Sequence, residues 1–192
     1  MKKVILVDMD GVLVDLTATW LRIYGERTGD WVHPDEITAY EFEQFVEYPM
    51  EFFSCLGQAL EEATPTAGSS KFEDLYLNPD YEVYVVSYAH SAAPEAHKAK
   101  LEWLAKYFPG FPQDRVIFTK HKHLIHGDYL IEDSPRNCED WGNATDGFTI
   151  IVDQPYNQGY DADGRAPTFA AVPKIIDGIE AVLNRGGIYA TK

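Results

Sequence analysis

Cysteine is scarce in this chain of 192 residues, which contains only Cys55 and Cys138. The two lie far apart and neither belongs to a Cys-x-x-Cys pair, so the sequence excludes a disulfide-rich scaffold and the common thiolate metal sites. We therefore expect two free thiols in a reducing compartment, and a single disulfide between them is the alternative.

Basic residues and long apolar runs are also few. The chain contains 16 Lys and Arg residues but 31 Asp and Glu residues, and the resulting net charge of −15 repels nucleic acid and anionic membranes. No apolar run approaches the roughly 18 residues of a membrane span. The opening MKKVILV is cut short by Asp8 and Asp10, which argues against a signal peptide. We expect a cytoplasmic protein without nucleic-acid or membrane partners, which needs a cation wherever it binds a phosphate.

Short apolar runs recur along the chain, and patterns typical of helices separate them. Uninterrupted aliphatic runs are typical of strands that are buried on both faces, as in parallel sheets. Such runs occupy residues 4–7, 83–86, 116–118, 129–131 and 148–152. Helical spacing extends over residues 94–108, and a second predicted helix begins at Pro173 and ends at Gly186 and Gly187. Residues 157–167 are predicted to form a surface loop. This alternation predicts a three-layer α/β/α, Rossmann-like fold with a parallel sheet.

Residues 16–79 break the alternation, because they contain no convincing buried strand. The segment is rich in aromatic and acidic residues, and the spacing of Leu56, Ala59 and Leu60 predicts a helix. We predict a small, mainly helical cap inserted after the first strand, with a Rossmann-like core formed by residues 1–15 and 80–192. Most of the aromatic rings would form the core of the cap, and the alternative is that one or two stack on a flat ligand over the sheet edge.

Two carboxylates, those of Asp8 and Asp10, directly follow the first predicted strand. Ligands of open parallel sheets bind beyond the carboxyl ends of the strands, and residues two apart at a strand end point the same way. Gly11 then allows the backbone to turn sharply and to approach a ligand. Two carboxylates suit Mg²⁺ and phosphoryl transfer, whereas the alternative is an acidic turn without function.

Further polar residues follow the other predicted strands. Ser87 ends the second strand, Lys122 lies in the loop after the third, and Glu132 and Asp133 follow the fourth. A hydroxyl and an ammonium group can bind a phosphate, and another carboxylate can complete a metal site. Each residue is ordinary alone, but their order at successive strand ends indicates a site for a phosphate and a metal.

This order resembles the haloacid dehalogenase superfamily of phosphatases, whose signature Asp-x-Asp-Gly reads DMDGVLVD here. The segment SYAH, Lys122 and the pair Glu132–Asp133 stand where the second, third and fourth motifs of that superfamily fall. Within the superfamily, the segments KLEWLAKYF, TKHK, YLIED and PYNQ are similar to the 5′(3′)-deoxyribonucleotidases. The similarity runs from Lys3 to about Gln158.

The resemblance implies Mg²⁺-dependent hydrolysis of the phosphate monoester of (deoxy)ribonucleoside monophosphates. Asp8 would be the nucleophile that forms an aspartyl-phosphate, and Asp10 would be the general acid and then the general base. The carboxylates of Asp8 and Asp133 and the main-chain carbonyl of Asp10 would hold Mg²⁺. Ser87 and Lys122 would bind the phosphoryl oxygens.

The resemblance also implies further contacts with substrate. The additional substrate-binding residues are Gly11, Tyr88, Lys100 and Lys120. Lys100 stands where the family has a lysine near the substrate phosphate, and its alternative is a solvated helix face. Glu132 stands where this branch usually shows Asp, which leaves its role undetermined. Tyr88 replaces a small hydroxyl residue, and Leu16 stands where some relatives have an aromatic residue that contacts the base.

The sequence is compatible with three functions. The first is a phosphatase of nucleoside monophosphates, and the second is the same chemistry on another small phosphate ester, such as a sugar phosphate. The third is a non-catalytic phosphate- or metal-binding protein, against which the presence of Asp10 argues. The expected ligands are a nucleoside monophosphate and Mg²⁺, and the chain is a candidate to form a homodimer. The sequence determines neither the base and sugar preference nor the use of 5′ or 3′ phosphates.

Overall fold

The computed structural model describes residues 2–89 and 95–185, and a parallel sheet lies at its centre. The six strands follow the order β3-β2-β1-β4-β5-β6, and every neighbouring pair is parallel. The strands are β1 (Lys3–Val7), β2 (Tyr81–Ser87), β3 (Val116–Phe118), β4 (Tyr129–Glu132), β5 (Phe148–Val152) and β6 (Gly164–Ala166). The carboxyl ends of β1, β2 and β4 are therefore neighbours.

Helices connect the strands. They are α1 (Leu16–Thr28), α2 (Pro49–Ser54), α3 (Leu56–Glu62), α4 (Phe72–Tyr76), α5 (Ala96–Tyr107), α6 (Pro135–Ala144) and α7 (Val172–Arg185). A polar cap and a proline start α6 directly after Glu132, the last residue of β4, and Asp133. The Ser134 side chain accepts a hydrogen bond from Asn137 N, and Pro135 occupies the first turn, where its missing N–H is not needed.

Apolar side chains cover both faces of the sheet. On one face Leu6 of β1 packs with Leu130 of β4 and with Trp141 of α6. On the other face Ile5 and Val7 belong to a larger core that includes residues from several helices. Because successive residues of a strand point to opposite faces, a fully buried run needs a layer of helices on each side. The predicted three-layer α/β/α fold is confirmed.

The segment between β1 and β2 is helical. Residues 16–79 contain α1 to α4 and form no strand. Trp20 of α1 stacks on Phe52 of α2 with 4.1 Å between ring centroids, and both belong to the same core as Ile5 of the sheet. The division into a core of residues 1–15 and 80–192 and a cap of residues 16–79 stays a prediction.

Two elements differ from the sequence analysis. The predicted loop over residues 157–167 is wrong at Gly164–Ala166, which form β6 and pair with Ile150–Val152 of β5. Three residues are too few to show a periodic pattern. Helix α6 buries only Cys138 and Trp141, so no apolar stripe predicts it. Pro94 and the pair Gly186–Gly187, predicted at helix ends, lie outside the described residues.

The two cysteines are free, as the sequence predicts. Cys55 and Cys138 are free thiols, and both are buried. Within residues 2–89 and 95–185, no helix is both long enough and apolar enough to span a membrane.

Candidate active site

A tight turn follows β1 and carries the first acid pair. Val14 N donates to Met9 O at 2.8 Å, and Gly11 N donates to Val14 O at 2.9 Å. Gly11 has φ +74°, and a Cβ atom there would lie only 2.0 Å from Oδ2 of Asp133. Both the left-handed backbone and the close approach require glycine at this position.

Lys122 lies between two buried carboxylates. Its Nζ is 2.5 Å from Asp8 Oδ1 and 2.6 Å from Glu132 Oε2. Glu132 is fully buried, and its Oε1 accepts hydrogen bonds from Asn137 Nδ2 at 3.0 Å and from Ser134 N at 3.2 Å. Glu132, whose role the sequence leaves undetermined, therefore anchors Lys122 beside Asp8.

Burial and mutual repulsion perturb the acids of the site. Burial, followed by the charge of Glu132, raises the pKa of Asp8 to about 7. Burial, Glu132 and Asp8 also raise the pKa of Asp133 well above its ordinary range. Burial alone would lower the pKa of Lys122, but Asp8 and Glu132 together raise it above its ordinary value, so its ammonium group stays charged. A single ammonium group cannot balance three carboxylates.

Asp8, Glu132 and Asp133 form the acid cluster of this site. One carboxylate oxygen from each residue lies within 4.8 Å of the others, and all three residues are buried. Hard oxygen ligands with excess negative charge suit a divalent cation such as Mg²⁺. Two of the predicted metal ligands, Asp8 and Asp133, are in the cluster. For Asp10, the third, the resemblance implies binding through the main-chain carbonyl, and its side chain pairs with Lys100 instead.

A second buried lysine, Lys100 of α5, pairs with Asp10. Its Nζ forms an ion pair with Asp10 Oδ2 and donates to Ser87 Oγ at 2.9 Å. Lys100 lies on the same helix face as the buried residues Trp103 and Leu104, and only 2% of it is exposed, so the alternative of a solvated helix face is wrong. Asp10 Oδ1 is buried and has no hydrogen-bond partner among the described residues.

Lys120 and Tyr88 occupy the surface beside these buried groups. Lys120 Nζ lies 5.9 Å from the centroid of the Tyr88 ring, and 38% of Tyr88 is exposed. The structure thus brings together seven of the predicted site residues, and it places Lys120 and Tyr88 at the periphery. The seven are Asp8, Asp10, Gly11, Ser87, Lys100, Lys122 and Asp133.

The loop after β5 contributes contacts that sequence reasoning does not assign. The Tyr156 hydroxyl donates to Asp133 Oδ2, and Asn157 Nδ2 donates to the main-chain oxygen of Asp133 at 2.8 Å. Gln154 Nε2 donates to the main-chain oxygen of Gly11 at 2.7 Å. The only sequence signal for this loop is the segment PYNQ, which indicates a family resemblance but no chemistry.

Two aromatic residues of the inserted segment lie next to this loop. The ring centroids of Tyr40 and Phe42 lie 5.7 and 5.4 Å from that of Tyr156. Tyr40 is 54% exposed, whereas Trp20 and Phe52 are buried deeper in the same segment. Tyr40 and Phe42 therefore lie beside the loop after β5, whereas Trp20 and Phe52 lie in the interior of the insertion.

Comparison with known proteins identifies the family. Residues 2–183 match the family model of the 5′ nucleotidase, deoxy (pyrimidine), cytosolic type C proteins. The chain belongs to this nucleotidase family. It is a phosphoric monoester hydrolase, as the sequence resemblance implies.

Two curated relatives of this nucleotidase share most of its length. It is 32% identical over 158 residues to the 5′(3′)-deoxyribonucleotidase of Bacillus subtilis (strain 168). This match covers 82% of this chain and 89% of the relative. It is 28% identical over 171 residues to the 5′(3′)-deoxyribonucleotidase of Clostridium acetobutylicum, and this match covers 83% of this chain and 87% of the relative.

Solved structures share the fold of the nucleotidase. L-2-haloacid dehalogenase from Xanthobacter autotrophicus superposes with a TM-score of 0.60 at 13% identity, covering 93% of this chain and 99% of that one. A haloacid dehalogenase-like hydrolase from Streptococcus pneumoniae gives a TM-score of 0.58 at 14% identity, covering 91% and 98%. At this identity the likeness establishes that the nucleotidase shares its fold with these haloacid dehalogenase-like proteins.

Proposed function

We propose that this nucleotidase hydrolyses the phosphate monoester of (deoxy)ribonucleoside monophosphates, with Mg²⁺ as cofactor and Asp8 as nucleophile. The observation that carries the proposal is the placement of Asp8 at the carboxyl edge of the sheet, between Lys122 and the acid Asp133. The deoxyribonucleotidases among its relatives support a nucleotide as substrate.

In the first step a carboxylate oxygen of Asp8 attacks phosphorus. The bond from phosphorus to the nucleoside oxygen breaks, and an aspartyl-phosphate forms. Lys122, held by Glu132 against Asp8, stabilises the negative charge that develops on the phosphoryl oxygens. Mg²⁺ at Asp8 and Asp133 would keep the Asp8 carboxylate ionised and reduce its repulsion from the phosphate.

Asp10 transfers the protons of both steps. Lys100 holds its Oδ2, which leaves Oδ1, an oxygen without a partner among the described residues, to give and take the proton of the reaction. Asp10 first donates this proton to the leaving nucleoside oxygen. It then accepts a proton from the water that attacks the aspartyl-phosphate, which releases phosphate and restores Asp8.

Substrate recognition divides between the phosphate and the base. Ser87 and Lys122 would bind the phosphoryl group, and Gly11 lets the backbone come close to Asp133 beside them. Tyr40 and Phe42 lie at the sheet edge beside the acid cluster and offer flat surfaces on which a base can stack. The base preference, the cytoplasmic location and a homodimer stay predictions.

A substrate panel tests the proposed function. Phosphate release is measured from nucleoside monophosphates and sugar phosphates, each with Mg²⁺ and with EDTA. We expect turnover of nucleotides that requires Mg²⁺ and is lost in Asp8→Asn, whereas the exposed-site control Asp35→Asn keeps wild-type activity. Faster release from sugar phosphates would favour the alternative substrate, and full activity of Asp8→Asn would contradict the mechanism.

A further inference from the structure

Arg165 of β6 fixes the loop that follows β5. Its guanidinium group forms an ion pair with Asp153 and donates to the main-chain oxygens of Asn157 at 3.1 Å and of Tyr160 at 2.5 Å. Within the loop, Asn157 N donates to Gln154 O at 3.1 Å, and Gln154 N donates to Asn157 Oδ1 at 3.1 Å. A loop tied at several backbone positions can hold a side chain in one orientation.

Tyr156 lies inside this loop and points at a carboxylate of the acid cluster. Its hydroxyl donates to Asp133 Oδ2, while the neighbouring Asn157 fixes the main chain of Asp133. An ionised carboxylate can only accept hydrogen bonds, so the Tyr156 hydroxyl is the donor of this contact.

Neighbouring residues fix the ring of Tyr156 in addition to its hydroxyl group. Only 9% of the residue is exposed, and Tyr40 and Phe42 of the inserted segment pack against its ring. Aromatic contacts at such distances favour defined relative orientations of the rings. The loop and the insertion together therefore hold the O–H group against Asp133.

We infer that Tyr156 is a positioning residue for Asp133. Its hydrogen bond occupies one carboxylate oxygen and orients the other toward the cation, so the loop after β5 is part of the metal centre. The inference rests on the metal site of the proposed function. Residues that hydrogen-bond to metal ligands change metal affinity by about 10–100-fold when they are removed.

Titration with Mn²⁺ alone tests this inference without relying on turnover. Mn²⁺ takes the same oxygen ligands as Mg²⁺, and its free concentration is measured by electron paramagnetic resonance in phosphate-free buffer. We expect Tyr156→Phe to weaken Mn²⁺ binding about tenfold. The matched control is Tyr76→Phe, which removes a tyrosine hydroxyl that donates to Glu73 at 2.9 Å in α4, and it should bind Mn²⁺ like wild type.

The possible results separate the inference from the proposed function. Equal Mn²⁺ affinity of Tyr156→Phe and wild type would overturn the inference while leaving the metal site intact. A lower melting temperature of Tyr156→Phe in EDTA with unchanged Mn²⁺ affinity would assign Tyr156 to folding alone and would also overturn it. If wild-type protein binds no Mn²⁺, the metal site of the proposed function fails first, and the inference fails with it.

Discussion

Replacing Asp8 by Asn should stabilise the metal-free protein while it abolishes turnover. Asp8 shares the acid cluster with Glu132 and Asp133, and Lys122 is the cation paired with it. Burial and Glu132 raise the pKa of Asp8 from its ordinary 3.8 to about 7. A buried carboxyl group with a raised pKa costs folding free energy whenever the unfolded chain can ionise it.

The magnitude follows from the difference between the two pKa values. From 3.8 to about 7, at about 1.36 kcal/mol per pH unit, the cost approaches roughly 4 kcal/mol at neutral pH. Lys122 pairs with the carboxylate of Asp8 and would meet a weaker acceptor in Asn, so part of this gain is offset. We therefore expect a gain of about 2 kcal/mol in Asp8→Asn, which raises the melting temperature by about 4–8 °C in a protein of this size.

The pH dependence has a definite sign. Below about pH 4 the carboxyl group is protonated in both the folded and the unfolded state, so Asp8→Asn gives no gain. As the pH rises toward 7, the unfolded chain loses its proton first, and the wild type loses stability relative to the variant. The gain should therefore grow from pH 4 to pH 7 and then level off.

Thermal unfolding in EDTA at pH 4, 5.5 and 7.5 measures this effect. Asp35→Asn, at an exposed position, is the control and should match wild type at every pH. Added Mg²⁺ should stabilise wild type more than Asp8→Asn, because a cation replaces the proton as the partner of the carboxylate. A melting temperature of Asp8→Asn at or below that of wild type at pH 7.5 in EDTA would refute the reasoning.

Three further predictions concern neighbours of Asp8. In Glu132→Gln, a charge that raises the pKa of Asp8 is lost, so Asp8→Asn should stabilise this background less than it stabilises wild type; additive effects in a double-mutant cycle would contradict the coupling. Lys100→Met should lower kcat at least about 100-fold by releasing Asp10, and recovery of part of the loss in Lys100→Arg would separate this effect from general damage. Gly11→Ala should destabilise the fold by about 1–3 kcal/mol, measured by urea unfolding, because φ +74° strains alanine and its Cβ meets Asp133; unchanged stability would show that the turn relaxes freely.

The local pattern of the chain predicted five of the six strands and the turn that carries Asp8 and Asp10. The runs ending at Val7, Ser87 and Ile131 are short, uninterrupted and bounded by polar residues, so each predicts a buried strand by itself. Parallel pairing then places Asp8, Ser87 and Asp133 along one edge, because the carboxyl ends of parallel strands lie together. The family resemblance added the order of the motifs.

Tertiary structure alone decided which side chains pair across that edge. No spacing in the sequence predicts that Glu132 holds Lys122, that Lys100 turns inward to Asp10, or that Tyr156 reaches Asp133, since 10 to 90 residues separate the partners. These contacts depend on strand order and on helix rotation, which single-chain periodicity does not encode. The sequence by itself thus determined where the acids are, and only the packing of the whole chain decided what holds each of them in place.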